Sequence, residues 1–547
     1  MRAKSAFSIR KNRKLSIRII VLLFILIGVY AIYTHWFSPT RILIVNPLPA
    51  QAADIILSND SRHIRITCLP TEEATSFDGY DAIVFYGRGL HLSDEQMADI
   101  ERHAEKGVPF FTNSLRNFNV IVNHNLTNEQ QSLLLGYFGN ANRQNYRNGV
   151  RYLRDIATSN KIPKESYDEP IILPANLYYH QEYGKYFSTK EELKAYLKAK
   201  DIYHEKGRNI AFVSGVSFPT EGNRAHVDTL ISRLTGVGFN VYPIAGSEKR
   251  ADMLRDLHPD AIVYLPMGRL GNDSLIHWIH TENIPVFSPF PLLQSTGEWL
   301  DPMVPVSGGT LTARIVVPEV DGAMAPLLIA TQNLHESGYY LYTPEEERVS
   351  NFVGHLCKYM GLRDKPNAEK RVAIGYFKSP GKDALLASGM EVVPSLYNFL
   401  KKLQAEGYDL TGLPPTVQAF EKQIHKDGVV LGSYAKGAQE EFLSKANPVW
   451  LTRSQYEEWA KKIIAPEKYK EVTGRYGKAP GELLVDTSSE GESRIAVACL
   501  QYGNVLLFPQ PRPALGDDDF KLVHGMPVAP PHSYLAPYLF RTGIFRP

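Results

Sequence analysis

Two stretches of this chain repeat one strand-helix-strand theme. "DAIVFYGRG" starts at Asp81 and leads through a helix-patterned segment to "KGVPFFTN"; "DAIVYLPMG" starts at Asp260 and leads the same way to "ENIPVFSP". Strands that are apolar on both faces and joined by a crossover helix pair in parallel, inside a sheet covered on both sides. The fold class this sets is α/β, with both Asp-Ala-Ile-Val strands in central positions.

The rest of the body follows the same logic. The helix after the first stretch opens on a Ser93-x-x-Gln96 capping box and turns Met97, Ile100 and Ala104 to one face. Further β-rich runs begin at Arg41 ("RILIVN"), Arg208 ("RNIAFVSG") and Arg371 ("RVAIGYF"). The helices after the last two carry Val227, Leu230, Ile231 and Leu234, and Leu396, Phe399, Leu400 and Leu403, each set at helical spacing. Another helix is expected from Pro344 to Met360, capped by Thr343-x-x-Glu346 and closed by Gly361, before a linker at residues 365–370. The expected organisation is a series of successive doubly wound parallel-sheet domains after an N-terminal transmembrane helix. The boundaries are an α/β domain at 41–160, a linker or helical segment at 161–207, a second α/β domain at 208–340, a helix and linker at 341–370, and a third α/β domain at 371–547.

The transmembrane expectation comes from the first forty residues. Seven Lys and Arg side chains between Arg2 and Arg18 form a basic tail (1–18) ahead of the apolar run Ile19 to Phe37. As a helix that run reaches roughly 28 Å, enough to span a bilayer core. Basic residues before the span and Tyr30, Tyr33 and Trp36 at its far end put the N-terminus in the cytoplasm and the body outside it, at the inner membrane of a cell that has a periplasm. A cleaved signal peptide is the rival, but the residues after the apolar run are bulky where a cleavage site needs small ones.

Composition excludes several function classes. The net charge is only +2 and much of the positive excess lies before residue 19, so no broad basic surface remains for nucleic acid. Three widely spaced cysteines exclude a disulfide framework and a Cys-rich zinc module. No nucleotide site is expected: "GYFKSPGKD" from Gly375 has the wrong glycine spacing and lacks the magnesium-binding Ser or Thr of a P-loop, and no G-x-G-x-x-G or G-x-S-x-G occurs. His226 reads as a capping or core-edge histidine, His335 and His355 as packing residues, and Glu319 and Asp321 as turn carboxylates, each with metal binding as the rival reading.

One segment carries more chemistry than a connection needs. Near the end of the chain, "GNVLLFPQPRP" and "PPHSYLAPYLF" put a buried strand before, and an aromatic helix after, a polar cluster that includes Asp517 to Asp519. Prolines fix the path, so Gln510 and Arg512 are held with little ordering cost. Arg512 can grip a carboxylate, and His524 or His532 can meet a metal or carry a proton. The rival is a structural Pro-rich crossover.

The order of segments then resembles a known family. "PEVDGAMAPLLIA" (318–330), "KPNAEKRVAIGYF" (365–377), "VPSLYNFLKKLQAEGYDL" (393–410), "YGKAPGELL" (476–484) and the two segments above are similar, in order, to the large tetrapyrrole-binding subunit of cobaltochelatase and magnesium chelatase; "GYFGNANRQNYRNGVRYL" (136–153) resembles its N-terminal region. The resemblance implies a porphyrin or corrin macrocycle as substrate, a divalent metal (Co, Mg or Fe) as co-substrate or product, and other chelatase subunits as partners. Family members continue into a H-x-G-T-H-G-type segment, so the chain is expected to be the front part of a longer protein. A membrane-anchored subgroup from bacterial haem-uptake systems, thought to remove iron from haem, is the nearly equal alternative, with a haem-uptake system as partner. A third is a non-catalytic extracytoplasmic module that binds a tetrapyrrole or another solute. On this resemblance Gln510, Arg512, Tyr534 and Tyr538 contact the macrocycle, and His532 and His524 act as metal ligand or proton carrier.

Overall fold

Both Asp-Ala-Ile-Val stretches become interior strands. In the computed structural model of the protein, β1 (Thr40–Val45), β2 (Ile64–Leu69), β3 (Ala82–Tyr86) and β4 (Phe110–Asn113) form an all-parallel sheet in the order β2-β1-β3-β4. Every residue of β3 is buried. Alternate residues serve opposite faces: Ile42, Ala82 and Val84 pack with Leu134 and Tyr146, whereas Leu43, Ile83 and Phe85 pack with Phe77 and Ile100. Helix α1 (Asp94–Ala104) covers the second face and has the expected capping box, with Ser93 Oγ accepting from the Gln96 amide and Gln96 Oε1 accepting from the Ser93 amide.

The structure describes residues 21–87, 89–113, 122–214, 223–306, 308–336, 338–377, 385, 389–430, 437–487, 491–515, 518, 521–522, 525 and 527–545. Its contacts divide the chain into two units, Met1–Cys357 and Lys358–Pro547. Within the first unit a second sheet contains β5 (Leu177–Tyr179), β6 (Tyr186–Phe187), β7 (Asn209–Ser214), β8 (Asn240–Ala245), β9 (Ala261–Leu265) and β10 (Val286–Phe287), in the order β10-β9-β7-β8-β5-β6. The four strands from β10 to β8 are parallel and β5 and β6 add an antiparallel edge. The segment 161–207, expected as a linker or helical piece, thus supplies two strands as well as the helix Lys190–Ala199. Helix α2 (Ala225–Gly236) buries Val227, Leu230, Ile231 and Leu234 as its spacing predicts. A small sheet of β11 (Phe290–Pro291), β12 (Leu328–Leu334) and β13 (Tyr340–Pro344) completes the unit.

Four expectations need correction. Thr343 and Pro344 are in β13, where Thr343 faces Thr331 across an antiparallel ladder, so Thr343 does not cap a helix. Helix α3 runs from Glu346 to Asp364, through Gly361, and its first bond goes to the Glu345 carbonyl. Phe399 is 50% exposed; on helix α4 (Val392–Ala405) Tyr397 and Leu400 are the buried residues. The region after 371 is not a third doubly wound parallel sheet. Among the described residues its one parallel pair joins β14 (Val372–Tyr376) to β19 (Val505–Pro509), while β15 (Val449–Thr452), β16 (Val485–Asp486) and β17 (Arg494–Val497) form a separate antiparallel sheet. The reason is local: β18 (Leu500–Tyr502) and β19 (Val505–Pro509) are joined by only Gly503 and Asn504, and so short a connection permits only antiparallel pairing.

The N-terminal apolar run is helical where described: residues 21–32 are α-helix and Tyr33–Phe37 continue as a π-helical turn. Its apolar side chains are exposed, among them Phe24 (71%) and Tyr30 (69%). Among the described residues no helix is long and apolar enough to cross a membrane; Ile19 and Ile20 lie outside them.

Candidate functional site

The second unit brings the Pro-rich segment against three helices: α5 (Arg453–Ile463), α6 (Pro466–Tyr476) and α7 (His532–Phe540). A Thr452-x-x-Gln455 capping box starts α5 and buries Tyr456 beneath it. Pro531 precedes α7 in extended conformation, so His532 is its first helical residue. His532 is 2% exposed and its ring is fixed at both nitrogens, with Nδ1 2.8 Å from the Tyr456 hydroxyl and Nε2 3.0 Å from the Gly477 carbonyl. A carbonyl can only accept, so Nε2 carries the proton. Burial holds the imidazole pKa below its usual range, so Nδ1 accepts from the Tyr456 hydroxyl. With both nitrogens engaged, no lone pair is left for the axial metal contact that the sequence suggested.

A cleft of about 570 Å³ opens beside this ring, walled by Gln439, Arg475, Tyr476, Glu482, Leu515 and Ser533 together with the Gly477-to-Gly481 turn. The turn can approach the imidazole because Gly481 has φ +81° and no side chain; a Cβ there would lie 3.0 Å from His532 Cδ2. Arg475 makes a two-pronged contact with Asp518, with Nε 2.6 Å from Oδ2 and the second prong from NH2 to Oδ1. Lys521 and the Tyr476 hydroxyl approach the same carboxylate. Foremost the Arg475 hydrogen bonds hold the Asp518 carboxyl below its ordinary range. This pair ties the Pro-rich crossover to the end of α6.

The expected contact residues separate into two groups. Arg512 lines a narrow cleft of about 40 Å³ with Pro509, Pro511 and Pro537, and that cleft shares Leu483, Leu515 and Ser533 with the larger one. Gln510 instead donates from Nε2 to the Tyr538 hydroxyl at 2.8 Å, while its amide bonds the Tyr376 carbonyl. Tyr534 and Tyr538 lie together with ring centroids 5.2 Å apart, and burial raises the Tyr534 pKa. These three are not among the residues walling the larger cleft. His524, Asp517 and Asp519 lie outside the described residues.

Elsewhere Asp321 is a turn carboxylate, bound by Arg269 through Nε and NH2 at 2.9 Å each. His335 stacks on Tyr339, and His355 meets the edge of Phe287. Among the described residues no three His, Cys, Asp or Glu side chains converge as a metal site. The sequence reading missed Arg475 and Glu482, although both lie in or beside "YGKAPGELL".

Comparison with known proteins places this arrangement. Residues 135–546 match the family described as CobN/Magnesium Chelatase. The magnesium-chelatase subunit ChlH of Oryza sativa is 25% identical over 405 residues, covering 70% of this chain and 28% of the relative. The aerobic cobaltochelatase subunit CobN of Pseudomonas aeruginosa is 26% identical over 274 residues, covering 48% and 21%. The catalytic subunit of cobaltochelatase from Mycobacterium tuberculosis has a similar fold, with TM-score 0.67 and 18% identity over 92% of this chain and 41% of that one. The chain spans less than a third of the length of these two curated relatives. With the match covering most of its length, including both clefts and the segments that form them, the chain belongs to the CobN/magnesium chelatase family.

Proposed function

We propose that this chain binds a tetrapyrrole and forms the macrocycle-holding part of a metallochelatase, which exchanges a divalent metal for the two pyrrole protons of the ring. The observation that carries this reading is the cleft of about 570 Å³ in the second unit, walled in part by "YGKAPGELL" and "PPHSYLAPYLF", two of the segments through which the chain resembles its family. Its volume suits a small-molecule pocket. Arg512, in the adjoining cleft, would hold a side-chain carboxylate of the macrocycle. Gln510, Tyr534 and Tyr538 would support the outer edge. His532 serves as a fixed wall rather than a metal ligand. Titrating the full chain with protoporphyrin IX and with haem, followed by the Soret band, tests this. Arg512→Ala should weaken binding about tenfold or more, as a lost charged hydrogen bond of about 1.5–3 kcal/mol requires. Wild-type affinity for both ligands in a folded Arg512→Ala variant would remove Arg512 from the site; no binding by the parent chain would sink the reading.

We further infer that Ile19 to Phe37 anchor the chain and that the body lies outside the cytoplasm. The basic tail and the exposed apolar helix support this. There an ATP-driven partner is out of reach, and removal of iron from haem, with a haem-uptake system as partner, fits better than insertion. Incubating the chain with ferrous haem and an iron chelator should then give metal-free porphyrin; haem that stays intact while bound would favour the non-catalytic module.

A further inference from the structure

The second sheet of the first unit has its topological switch point between β7 and β9, because the chain leaves β7 for β8 on one side and returns to β9 on the other. In such sheets the crevice outside the carboxyl ends of the strands at this point is open to ligands. Three side chains meet near this rim. His226 comes from the first turn of α2, Tyr342 from β13, and Arg314 from a π-helical turn at Thr312–Val316. The His226 and Tyr342 rings are 4.5 Å apart, and the turn that carries Arg314 is tied to the loop after β9 by a Gly268 amide bond to the Ala313 carbonyl.

What distinguishes this cluster is a buried cation with no carboxylate partner among the described residues. His226 is 6% exposed and its Nδ1 has no hydrogen-bond partner among the described residues. Arg314 is 7% exposed; it hydrogen-bonds to the Tyr342 hydroxyl and lies near Tyr264, and no Asp or Glu among the described residues pairs with it. Other buried arginines of the same unit are provided for. Arg250 donates to the carbonyls of Gly246, Leu270 and Ser214, Arg154 to Thr40 and the His63 carbonyl, and Arg224 to Asp228 and two carbonyls. A buried cation without a counter-ion is costly even when a hydroxyl accepts from it, and so is a buried polar atom without a hydrogen bond. Having both at one switch point is explained if an anion fills the place.

We propose that Arg314, His226 and Tyr342 form a binding site for a small molecule bearing a carboxylate. The planar guanidinium matches a carboxylate with two parallel N–H bonds, and one fixed positive charge suits a monoanion. His226 stays neutral, because burial and the Arg314 charge push its pKa down to about 3, and it offers a donor or an acceptor without adding charge. The Tyr342 hydroxyl supplies a further donor. The site does not depend on the chelatase reading, since a chain that binds no porphyrin can still show it.

The test is the melting temperature of the full detergent-solubilised chain in sodium acetate, sodium phosphate and sodium chloride at matched ionic strength. Acetate should raise Tm saturably by about 2–4 °C over chloride. Arg314→Met keeps the volume and removes the charge; it should abolish the acetate response and leave Tm in chloride unchanged or higher, since a buried cation without a counter-ion is gone. His226→Gln should weaken the response at an unchanged fold. A greater response to phosphate would overturn the carboxylate assignment. An acetate response that survives in both variants, or an Arg314→Met chain that melts lower in chloride, would overturn the site.

Discussion

Gly481 and His532 show how narrowly the candidate site is drawn at the scale of single residues. Gly481→Ala would add a side chain at a positive φ and press it against a buried imidazole, so a loss of about 1–2 kcal/mol is expected in denaturant melts. The buried histidines also set a pH dependence. His532, His226 and His180 all have folded-state pKa values depressed by burial. The unfolded chain therefore takes up protons near pH 6.5 that the folded chain refuses, and stability falls as pH drops through that value. Between pH 7 and pH 5 the slope from His226 should approach about 1.4 kcal/mol per pH unit, and His532 and His180 add to it in the same direction. His226→Gln, which removes the deepest shift, should flatten the curve of Tm against pH; an unchanged slope would show that another group carries it. At this scale the sequence was partly legible. The prolines around Arg512 marked a held segment, but the Arg475–Asp518 pair joins residues 43 apart and has no local signature.

Among the elements, α7 depends on its tie to α5. Tyr456→Phe would keep the packing but leave His532 Nδ1 buried without a partner, at about 1–3 kcal/mol, and should also blur the cleft that the ring walls. A variant as stable as the parent would mean that water replaces the hydroxyl. The elements best read from sequence were those whose local signals agree, such as α1, with its box at Ser93 and its apolar stripe. Thr343-x-x-Glu346 looked like a second box. There a long-range partner won, because Tyr340 to Pro344 complete a ladder with β12. On α4 the apolar stripe was right in period but Phe399 was placed in it, where Tyr397 and Leu400 face the core. The region after 371 was misread for a related reason: a buried apolar run such as β19 looks the same whether its neighbour is parallel or antiparallel, and only the two-residue turn before it decides.

At the scale of the whole molecule, the cores of the first unit share no residue with those of the second. Calorimetry should therefore resolve more than one unfolding transition, and a single two-state transition would show that the units melt together. A reporter fused after residue 45 should be active only outside the cytoplasm if the apolar run is an anchor. The placement of β1 bears on what such an anchor would transmit. The strand begins two residues after the π turn ends and lies between β2 and β3, parallel to both, with six residue pairs on one side and four on the other. Tension applied through the N-terminus would act along these ladders rather than across them, loading all their hydrogen bonds in shear at once instead of unzipping them in turn. The tether should accordingly behave as a mechanical clamp. Pulling from residue 38 against the C-terminus in an optical trap should give a high, sharp rupture for the first domain, and a gradual low-force release would show that the strand peels.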